Sequence, residues 1–230
     1  MKVISLFSGA GGLDLGLHKA GANIIWANDI DKDSVKSYEK NIGNHIVLGD
    51  IKEIDEKFLP DGDVIVGGFP CLGFTIAKGK SRKTCDENNF LYLEYLRLTK
   101  EIMPKLFLIE NVPGMKRGIS FNDFFENMMD DFINAGYQVR HKILRAANYG
   151  VPQKRDRIII VGIRNDLEYN FQWPSKTHEE KPLNRLDGTK NQKWITLHDA
   201  IGDLPIEWDP SIPSHTGTRH KVKINNYVGN

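Results

Sequence analysis

Cysteine is scarce: two in 230 residues are too few for a disulfide framework, and this points to the reducing cytosol. Long apolar runs are missing as well. None reaches the roughly 18 residues a membrane span needs, so no membrane partner is expected. The short apolar run that opens the chain leads into a glycine loop and not into a signal cleavage site. Charge of one sign is also lacking. A net charge of +1 excludes a purely electrostatic nucleic-acid coat and leaves only local patches to bind phosphate. No metal site is expected: His215 and His220 stand without a cysteine or carboxylate cluster, and Cys85 has no partner at ligand spacing. Internal repeats and low-complexity tracts are absent.

What remains is a soluble composition, 40% apolar, enough for one large domain or one domain and a fragment. Short β-branched runs alternate with helical patterns, which predicts an α/β fold with a mostly parallel sheet covered by helices. The expected strands are Val3–Phe7, Asn23–Asn28, His45–Leu48, Asp63–Gly67, Leu106–Glu110, Gln138–Leu144 and Arg157–Ile163. A helix is expected over Leu13–Lys19. Another is expected over Ser120–Ala135, where Phe121, Phe124, Phe125, Met128, Met129, Phe132 and Ile133 recur at helical spacing as a core stripe and Gly136 follows as the cap. Phe90–Met103 reads as apolar nearly all round, hence as a buried helix ending before Pro104. Trp26 and Trp173 read as core or domain-edge packing. Beyond Arg164 prolines break up a polar stretch, with brief helical promise at Leu197–Ile201. The boundary falls near Trp173, separating a domain over 1–173 from a proline-broken stretch over 174–230.

Chemistry-bearing residues collect at the predicted strand ends. Phe7-Ser8-Gly9-Ala10-Gly11-Gly12 joins the first strand to a helix, a turn that lets a ligand approach backbone and helix N-terminus through Gly9, Gly11 and Gly12. Asp29 ends the second strand, placed to accept from ribose hydroxyls, and Asp50 follows the third. This outlines a nucleoside pocket that a dinucleotide would fit as well. The fourth strand runs into Gly67-Gly68-Phe69-Pro70-Cys71, where Pro70 constrains the direction of the thiol and the paired glycines permit close contact with a ligand. Glu110-Asn111-Val112 ends the next strand, and Gln153-Lys154-Arg155-Asp156-Arg157 precedes the last. A thiol, a carboxyl and two guanidiniums at adjacent strand ends make a catalytic constellation. Two basic clusters accompany it. One is Lys78, Lys80, Arg82 and Lys83; the other is the six Lys or Arg between Tyr137 and Arg157, against one acid, Asp156.

In this order and spacing, the glycine turn, Pro70-Cys71, Glu110-Asn111-Val112 and the Gln-x-Arg-x-Arg of 153–157 make the chain resemble the cytosine-C5 DNA methyltransferases over residues 1 to about 165. The likeness continues more weakly through Trp173-Pro174-Ser175 and Thr196–Pro205. It implies a Rossmann-like S-adenosylmethionine-dependent methyltransferase fold with helices on both faces of the sheet. It also implies that Phe7, Asp29, Ile30, Asp50, Ile51, Pro70 and Leu91 contact S-adenosylmethionine. Cys71 matches the nucleophile, Glu110 the carboxyl that engages N3 and the amine of cytosine, and Arg155 and Arg157 the pair that holds the site and the base carbonyl. Leu72, Lys78, Lys80, Arg82, Lys83 and Gln153 fall where nucleic acid is contacted. The implied substrate is a flipped-out cytosine of double-stranded DNA, the implied protein monomeric and cytoplasmic, with a cognate restriction endonuclease as a partner in the cell. A tRNA cytosine-C5 methyltransferase and a non-catalytic S-adenosylmethionine-binding module are the alternatives. Leu72 stands where the family usually has glutamine. The family's late glutamine-rich motif and C-terminal helix have no counterpart here, so the resemblance implies a chain that stops inside its recognition region.

Overall fold

The computed structural model describes residues 1–70, 91–116, 119–183, 190–205, 209, 211 and 212. Two units emerge: one of residues 1–146 and 155–175, the other of residues 147–154 and 176–230.

The first unit holds β1 (Lys2–Leu6), α1 (Gly12–Lys19), β2 (Asn23–Asp29), α2 (Lys32–Asn41), β3 (Ile46–Leu48), β4 (Val64–Gly67), α3 (Leu91–Ile102), β5 (Leu106–Asn111), α4 (Ile119–Asn134), β6 (Tyr137–Arg145) and β7 (Asp156–Arg164). Each predicted strand is present with ends shifted by one residue at most. They form a seven-stranded sheet of order β3-β2-β1-β4-β5-β7-β6. The first five strands run parallel, and β7 enters antiparallel between β5 and β6.

Alternation along the central strands assigns the faces. Val3, Val64, Val66, Leu106 and Leu108 pack with Leu13 and Leu17 of α1. Their neighbours Ile4, Leu6, Ile65, Phe107 and Ile109 pack with Tyr95 and Leu98 of α3 and with Phe125, Met128 and Phe132 of α4. Helices therefore cover both faces, as expected. The N-terminal edge is tied by Asp63, which accepts from Lys2 N at 2.9 Å and Lys105 Nζ at 2.8 Å. The Lys105 hydrogen bond holds its carboxyl down at about 2.

Three expectations need correction. Phe7 is not in β1: its φ is 53°, a left-handed conformation that ends the strand. The α3 helix is amphipathic and not buried all round, because Leu93, Lys100 and Glu101 face solvent and only one side, including Tyr92, Tyr95, Leu96, Leu98 and Thr99, is buried. In α4 the stripe narrows. Phe125, Met128, Met129 and Phe132 are buried, but Ile133 is half exposed, since it lies about 80° round the helix from the stripe's centre. The side chain of Phe121 lies outside the described residues. Gly136 takes φ 95° and closes the helix by donating to Ile133 O at 3.0 Å.

The second unit contains a small parallel ribbon of β8 (His178–Glu179) and β9 (Gln192–Lys193), and α5 (Leu197–Ile201), which matches the expected helix. Thr196 and Asp199 cap α5 reciprocally. Asn148 anchors the ribbon, accepting from Thr177 N and from Trp194 Nε1, both at 3.0 Å. Among the described residues no helix is long and apolar enough to cross a membrane.

Candidate active site

In a sheet of this order the connections leave β1 and β4 in opposite directions, which opens a crevice at the carboxyl ends of those strands. The expected site residues that the structure describes in the first unit stand around this edge.

On the β1 side, Phe7 holds a conformation that costs about 1–3 kcal/mol for a non-glycine residue and is found mostly where function demands it. Ser8 then donates through N and Oγ to Asn28 O, at 3.0 and 3.1 Å, and Gly9 N donates to Asp29 Oδ2 at 2.7 Å. Asp29 Oδ1 accepts from Asp31 N at 2.9 Å. Asp29 therefore braces the glycine loop, and each of its oxygens keeps a second lone pair for a ligand. Gly11 has φ 86°, and a side chain there would come within 2.8 Å of Tyr38 and Ile42. Gly12 begins α1.

The next wall is the turn after β3. Asn28, buried and given no role by the sequence reading, donates through Nδ2 to Val47 O and Gly49 O, both at 3.0 Å. Asp50 caps the one-turn helix Ile51–Glu53 by accepting from Lys52 N at 3.0 Å. Ile51 is buried in the main core. Ile30 is 68% exposed and presents an apolar surface beside Asp29. Leu91, the first residue of α3, is partly buried against the core, and Pro70 is exposed.

Behind the glycine loop lies a buried polar chain. Ser5 Oγ and Tyr38 Oη each donate to the fully buried Asp14 carboxylate at 2.7 Å. With its one proton committed to Asp14, the Tyr38 oxygen is left to accept from His45 Nε2 at 3.0 Å. Burial raises the Asp14 carboxyl above its ordinary value, against the lowering effect of the two hydroxyls and of His45. A raised carboxyl favours folding below its unfolded value of about 4, and that contribution is lost as pH rises through the folded value. Asn cannot ionise. The stability of an Asp14→Asn variant relative to the parent should therefore climb as pH is raised from about 4 towards neutrality and then level off. Urea denaturation of both proteins across that range checks this. A difference that falls with pH would mean Asp14 is stabilised as the anion.

On the β4–β5–β7 side, Glu110 Oε1 accepts from Arg157 Nε at 2.7 Å, while Arg155 Nη2 stands 3.9 Å away, too far for a hydrogen bond. Because β5 and β7 are antiparallel, Glu110 near the end of one meets Arg157 near the start of the other. Asn111 Nδ2 donates to Phe69 O at 3.1 Å, and the Phe69 ring is buried near Phe7, Tyr92 and Tyr95. The backbone is thus held from two sides up to Pro70.

The paired glycines also serve the packing of the strand ends. A Cβ on Gly67 would collide with the carbonyl oxygen of Leu6, and one on Gly68 would lie 2.7 Å from Glu110 O and 3.2 Å from Glu110 Oε2. They let neighbouring strand ends close up, and Gly68 leaves room for the Glu110 carboxylate.

Cys71, Leu72, Lys78, Lys80, Arg82 and Lys83 lie outside the described residues, as do Cys85, His215 and His220. Gln153 belongs to the second unit, where it is exposed. The basic cluster of Tyr137–Arg157 is less free than its composition suggests. Arg145 pairs with Asp156, Lys154 with Glu180, and Arg157 with Glu110, and Arg155 lies at the limit of an ion pair with Glu110. Arg140 donates to Phe171 O, and Lys142 lies over the Trp173 ring.

A family described as C-5 cytosine-specific DNA methylase matches residues 1–227. The Type II methyltransferase M.FnuDI of Fusobacterium nucleatum is 45% identical over 207 residues, covering 89% of this chain and 56% of that protein. The Type II methyltransferase M.BspRI of Lysinibacillus sphaericus is 37% identical over 238 residues, covering 90% of this chain and 53% of that protein. Among solved structures, a putative DNA modification methyltransferase encoded within an E. coli prophage is similar with a TM-score of 0.71 and 27% identity, over 91% of this chain and 56% of the other. The chain spans about half the length of the curated relatives it matches.

Proposed function

The chain belongs to the C-5 cytosine-specific DNA methylase family, and from that premise we propose that it is the catalytic part of a DNA (cytosine-5-)-methyltransferase that uses S-adenosylmethionine. The observation that carries the reading is the Glu110–Arg157 pair at 2.7 Å, beside Gly68 in the strand end that Asn111 holds through Phe69 O and that leads towards Cys71 in the sequence.

The strand-end residues fit the cofactor's chemistry. Asp29 and Asp50 keep carboxylate lone pairs for ribose hydroxyls and an adenine amine, Ile30 offers exposed apolar surface, and the glycine loop exposes backbone to the methionine end. Phe7, Gly9, Gly11, Gly12, Ile51, Pro70 and Leu91 complete this set. S-adenosylmethionine, when bound, supplies the methyl group that cytosine C5 receives.

Cytosine C5 is a poor nucleophile. In the proposed reaction the Cys71 thiolate forms a bond to C6, and the displaced ring electrons make C5 nucleophilic. Glu110 engages N3 and the exocyclic amine and offsets charge that develops on the ring. Arg157 fixes the Glu110 carboxylate, and Arg155 holds the base carbonyl. Loss of the C5 proton and expulsion of Cys71 restore the aromatic ring. Neither C5 nor C6 is accessible to these groups inside a duplex, so the base is flipped out. Leu72, Lys78, Lys80, Arg82, Lys83 and Gln153 serve nucleic-acid contact in this reading, and residues 174–230 begin a recognition region. The full protein acts as a monomer on double-stranded DNA in a bacterial or phage cytosol, with a cognate restriction endonuclease as its cellular counterpart.

Methyl transfer from tritiated S-adenosylmethionine to duplex DNA and to tRNA, measured with the full-length protein, tests the substrate. Transfer to DNA alone is expected, mapped to cytosine C5 by bisulfite sequencing. Transfer to tRNA alone would move the protein to the alternative substrate, and binding of the cofactor without transfer would leave only a binding module.

A further inference from the structure

Arg97 lies on α3, six residues after Leu91, and the sequence gives no reason to single it out. Its guanidinium has five N–H donors, and four hydrogen bonds engage it. Nε donates to Glu94 Oε2 at 2.8 Å and Nη1 to Glu56 Oε2 at 2.7 Å. Nη2 donates to two backbone carbonyls, Ile51 O at 3.1 Å and Ile54 O at 3.2 Å. Those carbonyls bracket the one-turn helix Ile51–Glu53 that Asp50 caps. The turn's own closing bond, Ile54 N to Ile51 O, is long at 3.4 Å. Its other attachments include the Glu53 N to Asp50 O bond at 3.0 Å, the buried Ile51 and partly buried Ile54 side chains and, just before it, the grip of Asn28 on Gly49 O.

We propose that Arg97 is a positioning residue for S-adenosylmethionine: it fixes the Asp50–Ile54 turn to α3, so that Asp50 and Ile51 on one segment and Leu91 on the other form a pocket wall of fixed width. This rests on the cofactor reading above. A planar fork is needed for the task. It satisfies two carboxylates and two carbonyls at once, whereas a lysine ammonium is a point charge on a flexible stem and serves the carboxylates at the expense of the carbonyls. Glu94 and Glu56 hold the guanidinium in place from either side. Arg97 is about one-third exposed, and Ile51 stays anchored in the core without it. Its loss should therefore loosen the turn and leave the fold standing.

The test compares the full-length parent with Arg97→Met, Arg97→Lys and Glu56→Gln. Calorimetry should show S-adenosylmethionine affinity about tenfold weaker in Arg97→Met, with Arg97→Lys rescuing only part of the loss. Amide exchange over Lys52–Leu59 should quicken in the unliganded variant. In turnover, KM for the cofactor should rise by a larger factor than kcat falls. If Arg97→Met loses its cooperative melt, Glu56→Gln, which removes one anchor only, is read by the same criteria. A parent that fails to bind S-adenosylmethionine overturns the cofactor reading itself. A parent that binds, with variants that bind equally well and exchange at the parent's rate, overturns the role of Arg97 alone. Weakened binding that Arg97→Lys restores in full would show that charge, and not the fork, is what the turn requires, and would also overturn it.

Discussion

Full-length protein incubated with S-adenosylmethionine and DNA carrying 5-fluorocytosine should form a complex that survives denaturation, and Cys71→Ser should form none. Fluorine at C5 cannot leave as a proton does, so elimination stops after methyl transfer and the bond between sulfur and C6 persists. The variant should still bind S-adenosylmethionine, because the backbone leading to residue 71 is set by other groups: Asn111 on Phe69 O, the buried Phe69 ring, and Gly67 and Gly68 against the adjoining strands. On ordinary DNA its turnover should fall by on the order of 10³-fold or more, as when a nucleophile is removed from a catalytic set that acts as a unit. Peptide mapping of the trapped complex identifies the attached residue. An adduct at Cys85, or equal trapping by Cys71→Ser, would sink the mechanism.

The second large effect is expected at Glu110. Glutamine keeps the shape of the side chain and an oxygen for Arg157, yet it can neither carry the carboxylate's charge nor share a proton with N3. Glu110→Gln should lower kcat by roughly 10²–10⁴-fold, the range for a positioned acid or base. Stability should hardly change. The Glu110–Arg157 pair is 33% and 23% exposed at its two side chains, and a pair so open to solvent contributes only about 0–1 kcal/mol. Thermal melts and single-turnover kinetics together separate the two quantities. Unchanged single-turnover rates would remove Glu110 from the chemistry.

Much of this was legible in the sequence because it is written locally. Strand positions followed from β-branched runs, and α4 from its stripe and from Gly136. The strand-end placement of Asp29, Asp50, Glu110 and Arg157 followed from where those runs stop. Features that depend on distant partners carried no such mark. Asn28, Asn111 and Arg97 hold loops through bonds spanning 19 to 46 residues, and no periodicity announces an amide or guanidinium aimed at a particular carbonyl. At the glycine pair close approach was legible, but the backbones of β1 and β5, which crowd these two positions, are distant in sequence and left no local mark. In α3 the tyrosines and threonine that made the segment look apolar throughout are concentrated on its buried side. The six basic residues after Tyr137 suggested a phosphate-binding surface, and composition could not show that three of them are bonded to acids and a fourth stands close to one.

The sheet ends on β6, a nine-residue strand bonded to β7 on one side only among the described residues. A strand of this length with an open row of N–H and C=O groups is a template on which another chain can add. Arg140 and Lys142 are exposed near its middle. Two copies brought together through this edge in antiparallel fashion would set these cations against one another, and like charges facing across a strand pair oppose pairing. The cations that brace Phe171 and Trp173 from within one molecule would thus also disfavour antiparallel pairing of two such edges centred near His141.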